Sequence, residues 1–423
     1  MSNNQACVGH FRPIRAFSLS DLLRAEMEKG KLIGLVLLDL QKAVDHGILI
    51  DKLKAMGVSC TSWFGSYLSG RTQCVEVDGV RSSFRDVSCG VPQGSILGPL
   101  LLAYINDMHR SVNCQLALYA DDSALIFSHK DPSVIADRLS HELSSGKKWL
   151  TDNKLSLHVG KTECIVFGSN RKLKGMGNFR VSCDGMAVNQ VSTVKYLGVT
   201  LDQHFKFTEH VTNVIKRCAG RLNFLYRNSS VLNYNCRRIL CNSLIQPYLE
   251  YCCSTWYSSI SQNLRGRLDV IQRRMVRFIH SKDPYYHVSS HDLRGLSWLS
   301  IPDRVKFFKL NQVFKIRSGN APRYLCTSFQ ALATSHSHNT RRSSLDFFIS
   351  KELANSPHSF SFTAIKHWNS LPPCLKQIQT FPSFKKRLKQ FLLSTDWFLF
   401  FRTDLPNRNR VWYCHFHFIC DIA

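Results

Sequence analysis

Asp121 and Asp122 stand side by side in the apolar run LYADDSALIF at residues 118–127. A carboxylate in such surroundings costs several kcal/mol, or shifts its pKa, unless something holds it. A third acid, Asp39, ends another apolar run, KLIGLVLLDL at residues 31–40. Carboxylates that converge from neighbouring strands can share a pair of hard divalent cations, and such a pair clamps the attacking and leaving oxygens of a phosphoryl transfer. One buried acid cannot do this. Asp is also a favoured turn residue, so Asp121-Asp122 alone equally describes an ordinary bend.

The elements that must position these acids are legible. Residues 31–40 read as a buried central strand, and 45–56 as a helix with Ile48, Leu49, Leu53 and Met56 at helical spacing, stopped by Gly57. Residues 73–77 and 80–87 flank Asp78-Gly79, a hairpin turn signal. GVPQGS at 90–95 breaks regular structure before an apolar helix over 96–108. Residues 116–120 and 123–127 predict two short strands with the aspartates at the bend. Asp131-Pro132 opens an amphipathic helix, and 163–168 and 194–201 read as further strands. From about residue 207 the period changes to 3.6, with Val211, Val214, Ile215, Cys218, Leu222 and Leu225 on one face, and 264–278 repeats the pattern. The reading is an α+β body to about residue 203, a basic helical region, and a last small unit after a Ser-, Thr- and His-rich stretch at 327–344.

Composition narrows the function. The 423 residues carry a formal charge of +25 with 44% apolar content, which describes a globular protein that meets a polyanion. Charge that served only solubility would be spread evenly, whereas Lys and Arg crowd into 171–174, 216–227, 265–282 and 385–389. The sixteen cysteines are irregularly spaced, and Cys164, Cys218 and Cys241 lie in apolar runs, so they read as reduced intracellular thiols. The N-terminal residues lack the apolar core of a secretory signal, and no apolar stretch is long enough to span a bilayer. Cys414, His415, His417 and Cys420 match no zinc spacing well.

In order along the chain, LLDLQKA (37–43), GVPQGSILGPLLL (90–102), YADD (119–122), KLSLHVGKT (154–162) and KYLGVTLD (195–202) resemble the successive palm motifs of a reverse transcriptase. The set looks most like the enzymes of LINE-type, non-long-terminal-repeat retrotransposons of the jockey-like group, and FPSFKKRLKQFL at 381–392 extends the likeness toward the C-terminus. The resemblance implies a right-hand polymerase palm, an antiparallel sheet carrying the YADD hairpin with helices on one face. Its expected boundaries are a remnant of fingers at 1–30, the palm at 31–203, a basic helical thumb and connection at 204–326, and a small C-terminal unit and tail at 327–423.

The resemblance also assigns roles. Asp39, Asp121 and Asp122 are the expected catalytic, metal-binding carboxylates for two Mg²⁺ ions, with Mn²⁺ as an alternative. Gly90, Pro92, Gln93 and Gly94 match the loop beneath template and incoming nucleotide, Val44 stands near the nucleotide's ribose, and Lys161 matches a lysine beside the leaving pyrophosphate. Tyr119 and Ala120 match primer contacts, and Tyr196, Leu197 and Gly198 match the hairpin that grips the primer. Lys216, Arg217, Arg221, Arg273, Arg274 and Arg277 are expected to hold nucleic-acid backbone. The implied partners are an RNA template, a DNA primer and deoxynucleoside triphosphates. Two departures stand out. The family usually reads D-x-x-K-A-F-D-x-V-D-H after the first acid, and here DLQKAVDH (39–46) is three residues shorter and lacks the Phe. Upstream, HFRPIR (10–15) and SLSDLLR (18–24) resemble only the last part of the fingers. The expectation is a 5′-truncated element copy whose chain binds nucleic acid and polymerises poorly, or a non-catalytic binding remnant of the same element.

Overall fold

The computed structural model describes residues 12–41, 44–90, 100–119, 122–326, 329–332 and 345–394. Helix α1 (Arg12–Glu28) leads into strand β1 (Leu32–Leu38), whose residues are almost all buried. β1 is the middle of a five-stranded sheet, flanked by β8 (Asp122–His129) and β10 (Glu163–Phe167), with β7 (Gln115–Tyr119) beyond β8 and β11 (Asn189–Gln190) beyond β10. Its ladders with β8 and β10 are antiparallel. The run is continuously apolar because both faces of the sheet are covered, so there is no solvent side to demand alternation. Ile33 and Leu35 pack toward Leu19 and Leu23 of α1, while Leu32, Val36 and Leu38 pack toward Met108, Ile135, Leu139 and Leu143. Burying each such side chain contributes roughly 1.5–3 kcal/mol, far more than any cap or turn nearby.

The helix over the second face is α5 (Pro132–Asp152), capped by Asp131, whose carboxylate accepts from Ser133 N at 2.9 Å, with Pro132 in the first turn. It presses so close that a Cβ on Gly34 would lie 2.4 Å from Leu139 Cδ1. Between β1 and β7 lie α2 (His46–Ala55), α3 (Thr61–Leu68) and a thin two-stranded arm. The arm pairs β3 (Thr72–Gln73) with β6 (Arg85–Asp86), and β4 (Glu76–Val77) with β5 (Val80–Arg81). Asp78 (φ 49°) and Gly79 (φ 81°) turn it, as the sequence signal predicts. Residues 91–99 lie outside the described set, and the helix expected over 96–108 is seen as α4 (Leu100–Ile105) followed by a 3-10 segment, Asn106–Arg110.

One expectation needs revision: residues 194–201 are two strands, not one. β12 (Thr193–Tyr196) and β13 (Val199–Asp202) form an antiparallel hairpin turned by Leu197 and Gly198. After it come α6 (Thr208–Arg227), α7 (Tyr234–Leu244) and α8 (Gln262–Ile279), and α6 and α8 bury the apolar stripes read from the 3.6-residue period. α9 (Ile301–Arg317), α10 (Phe360–Asn369) and α11 (Phe381–Leu393) build a second core around Phe314, Trp368, Phe384 and Leu388. α1 belongs to both cores, since Ile14 and Phe17 sit in the second and Ala16, Leu19 and Leu23 in the first. Burial pushes the thiols of Cys164, Cys218 and Cys241 up to about 12. No helix among the described residues is long and apolar enough to cross a membrane.

Candidate active site

Asp39 follows the last residue of β1 and is half-buried. The ladder pairs Leu37 with Ala124 and Leu38 with Ser123, so one further step sets Asp39 across from Asp122. Strand alternation puts Asp39 on the face of Ile33 and Leu35, and Asp122 on that of Ala124 and Ile126, which is one and the same face. The β7–β8 register closes at Tyr119↔Asp122, which leaves two residues, Ala120 and Asp121, for the turn; both lie outside the described residues. The described part of the β7–β8 ladder therefore ends beside the end of β1.

Like charges facing each other on a sheet are destabilising, and carboxylate oxygens suit hard divalent cations, so this pair fits a metal better than it fits itself. Among the described residues no group of three or more His, Cys, Asp or Glu could hold a metal ion. The pair needs another donor to complete such a site.

Past Asp39 the chain leaves the central sheet. Its carbonyl accepts from His158 N at 3.0 Å, and strand β2 (Leu40–Gln41) pairs with β9 (Ser156–Leu157). This fixes the turn Val159–Lys161 beside Asp39 and leaves Lys161 exposed. Two residues separate Gln41 from Val44, whose side chain is 3% exposed and packs with Leu49, Leu53 and Tyr104. Val44 reaches the next motif through its backbone, not its side chain: its carbonyl accepts from Gly90 N at 2.7 Å. Asp45 caps α2 at Ile48 N and pairs with Lys154 at 2.8 Å; that contact, first among several, holds its carboxyl below the ordinary range. His46 Nε2 lies 2.7 Å from Gly90 O. The glycine that opens GVPQGS is thus tied on both sides to the segment after Asp39, while Pro92, Gln93 and Gly94 lie outside the described residues.

The Leu197-Gly198 turn shows why its residue types are unusual. Both have positive φ (47° and 79°), the requirement of a type I′ turn, and Tyr251 Oη donates to Leu197 O at 2.7 Å. A Cβ on Gly198 would meet the Tyr251 ring at 3.1 Å. Gly198→Ala is expected to destabilise the protein by about 1–2 kcal/mol through the left-handed backbone alone, and to weaken the Tyr251 contact. Thermal unfolding with near-ultraviolet circular dichroism reads both, and an unchanged Tm would count against this hairpin as a fixed element. Tyr196 and Leu197 are themselves buried, at 2% and 3% exposure, so the hairpin's contact with a primer would be made by its backbone. Tyr251 carries no local signal in the sequence, because its partner is 54 residues away.

The six cations expected on nucleic-acid backbone divide in two. Lys216, Arg217 and Arg273 are exposed, as is Arg221. Arg221 donates to Leu244 O and Tyr248 Oη at 2.9 and 2.7 Å, Arg274 to Asn223 Oδ1 at 2.7 Å, and Arg277 to Tyr286 O at 2.8 Å. The second three brace α6 and α8 against their neighbours.

A sheet antiparallel but for its β10–β11 edge pair, which offers acids at the end of a central strand and at an adjoining hairpin, with a basic helical region after it, has the form of a polymerase palm. Residues 4–201, just under half of the chain, match the family model described as reverse transcriptase (RNA-dependent DNA polymerase). The chain's relatives include proteins of the jockey and BS elements. It is 28% identical over 300 residues to the RNA-directed DNA polymerase from mobile element jockey of Drosophila melanogaster, a match that covers 67% of this chain and 32% of the relative. It is 29% identical over 296 residues to the probable RNA-directed DNA polymerase from transposon BS of the same species, covering 66% and 32%. A Pol polyprotein from the type-1 retrotransposable element R1 2 of Nasonia vitripennis is 26% identical over 54% of this chain and 58% of its own length. The chain spans about a third of the length of the jockey and BS relatives.

Proposed function

We propose that this chain is the polymerase portion of a retrotransposon reverse transcriptase, which extends a DNA primer on an RNA template. The observation that carries the reading is the register that brings Asp39 and Asp122 to one face at the mouth of the β7–β8 hairpin, in a chain whose other motifs follow in family order. Asp39, Asp121 and Asp122 would hold the two Mg²⁺ ions. Bound there, Mg²⁺ supplies charge neutralisation on the triphosphate and acidifies the primer hydroxyl. The primer 3′-oxygen attacks the α-phosphorus of a deoxynucleoside triphosphate, a new P–O bond forms, and pyrophosphate leaves. Lys161 offers a cation to that leaving group. Tyr119, Ala120 and the turn at 196–198 hold the primer end, and the loop opened by Gly90 underlies the templating base. Template pairing selects the nucleotide, so Lys216, Arg217 and Arg273 need only sequence-independent phosphate contacts.

A second reading, a nucleic-acid-binding remnant without polymerase activity, is favoured by the short connection after Asp39. Only Lys42 and Ala43 separate the β2 strand from a valine sealed in the core, and the family's Phe has no counterpart. Primer extension with Mg²⁺ on a primed RNA template separates the readings. Extension by the native chain supports the enzyme. Extension only after three residues are restored following Ala43 locates the lesion in this connection, and salt-sensitive binding with no extension in either form supports the remnant.

A further inference from the structure

Trp63 on α3 is the one exposed tryptophan among the described residues, at 56% exposure. Burying its indole would be worth more than burying most side chains, so its exposure asks for a reason. α3 turns Phe64 and Leu68 toward the α2 core, and Trp63 outward. Four residues on, the Tyr67 ring lies nearly parallel to the indole, with centroids 5.8 Å apart and planes at 12°. Four further on, the Arg71 guanidinium sits 5.2 Å from the Tyr67 centroid. Phe64 meets the indole edge-on at 5.1 Å and 88°, which fixes the plane of the first ring. The positions between are small: Ser62, Ser66, Ser69 and Gly70 are all exposed, so nothing bulky flanks the rings.

The ladder is joined to the candidate active site by backbone. Val87 N donates to Arg71 O at 2.8 Å, Thr72 pairs with Asp86, Cys89 bridges Asp45, and Gly90 N donates to Val44 O. Its arginine end thus adjoins the strand that runs to the Gly90 loop. An aromatic ladder closed by a guanidinium suits planar rings joined by phosphates, and it suits them without regard to sequence, because every base has a π-face. Trp, Tyr and Arg are equally the residues enriched at protein interfaces, so the choice of occupant turns on what surrounds the ladder. The guanidinium of Arg71 at the ladder's end and the backbone path from it to Gly90 favour an anionic chain of rings as occupant.

We propose that Trp63, Tyr67 and Arg71 form a stacking platform for single-stranded nucleic acid, the unpaired strand leading to or from the candidate active site. This rests on the polymerase reading for the strand's identity, and on the ladder alone for its chemistry. The test uses the full chain and a fluorescein-labelled oligouridylate of about 20 nucleotides, long enough to cover one stacking site. Anisotropy titrations of Trp63→Ala should show single-strand affinity reduced about tenfold, the loss of roughly one stacked base, with Trp63→Phe near native. The dependence on salt should stay unchanged, because the indole displaces no counterion. A double-stranded RNA of the same length should bind both variants as it binds the native chain. Native single-strand affinity in Trp63→Ala, with the fold verified by circular dichroism, overturns the proposal. So does equal loss on single and double strands, or a change in sedimentation that makes the ladder a contact between copies. Binding of the oligouridylate through Trp63, with no primer extended by the native chain or by the form with three residues restored after Ala43, keeps the platform and removes the polymerase reading. Extension with a silent Trp63→Ala removes the platform alone.

Discussion

Asp39→Asn or Asp121→Asn lowers primer extension about a thousandfold, and the double variant is scarcely worse than either single one. The magnitude follows from the several kcal/mol of charge stabilisation that a metal pair supplies to a phosphoryl transfer, all of which goes if either side of its carboxylate cradle is neutralised. Non-additivity follows because the acids act as one unit. Asn keeps the size of Asp, so the end of β1 and the β7–β8 turn hold their course. The measurement is single-turnover extension with Mg²⁺ in whichever form extends, native or with three residues restored after Ala43, beside titration of primed template. Template affinity should stay within a few-fold of native. A variant at either position that retains a tenth of the activity would remove that residue from the site.

The second large effect lies far from the acids. Asp21 of α1 is half-buried and accepts from Phe360 N and Ser361 N, both at 2.7 Å, so it caps α10 from across the chain, while Ser359 caps Phe362 N. Phe17 stacks on Phe360 beneath it, at 3.7 Å. Lys309, 1% exposed, donates to Ser258 Oγ at 2.7 Å and Thr363 Oγ1 at 2.6 Å, within Coulombic reach of Asp21. Asp21→Ala orphans two buried amides at about 1–3 kcal/mol each and leaves Lys309 without its carboxylate, for a total of about 3–5 kcal/mol. Chemical denaturation checks this, and Asp21→Ala with Lys309→Met together should cost less than their sum. A loss under about 1 kcal/mol for Asp21→Ala would mean that the amides find water, contrary to a buried cap.

Lys309 adds a pH signature. Burial drives it from 10.5 to about 8. Between those values the unfolded chain holds a proton that the folded chain has released, so stability contributed by this group rises with pH across the window, by up to about 3 kcal/mol. Lys309→Met should remove that rise, and a native slope equal to the variant's would show that Lys309 keeps its proton. Asp21 runs the other way and lower: burial, outweighing the amide bonds and Arg24, raises it, so its own contribution is full below the ordinary carboxylate range and declines above it.

What the sequence made legible was what local chemistry decides. The apolar run of β1, the Asp131-Pro132 start of α5, the Asp78-Gly79 turn and the stripes of α6 and α8 each carry their reason within a few residues. The split of 194–201 into a hairpin was not legible from periodicity, because it needs a leucine at positive φ, held by Tyr251 from 54 residues away. Nor was the pairing of Asp21 with α10, at a separation of 339 residues. Within the site, the identities of Asp39 and Asp122 were readable, and their shared face came from the ladder. Val44 stood near a nucleotide by the resemblance alone, and its side chain is core because Leu49, Leu53 and Tyr104 close over it.

The double membership of α1 has a consequence for the order in which the protein forms. Its inner face completes the sheet core, but its outer face and the Asp21 cap wait for residues up to the last helix, among the most distant contacts a chain of this length can make. Such closure is slow, since its loop entropy must be met before any contact repays it. During synthesis, at about 5–20 residues per second, the sheet and its acids are complete while the first helix still shows Ile14 and Phe17 to solvent, and it closes only when the C-terminal helices emerge. The ends of the described chain act as a latch, and the protein finishes folding by joining its beginning to its end.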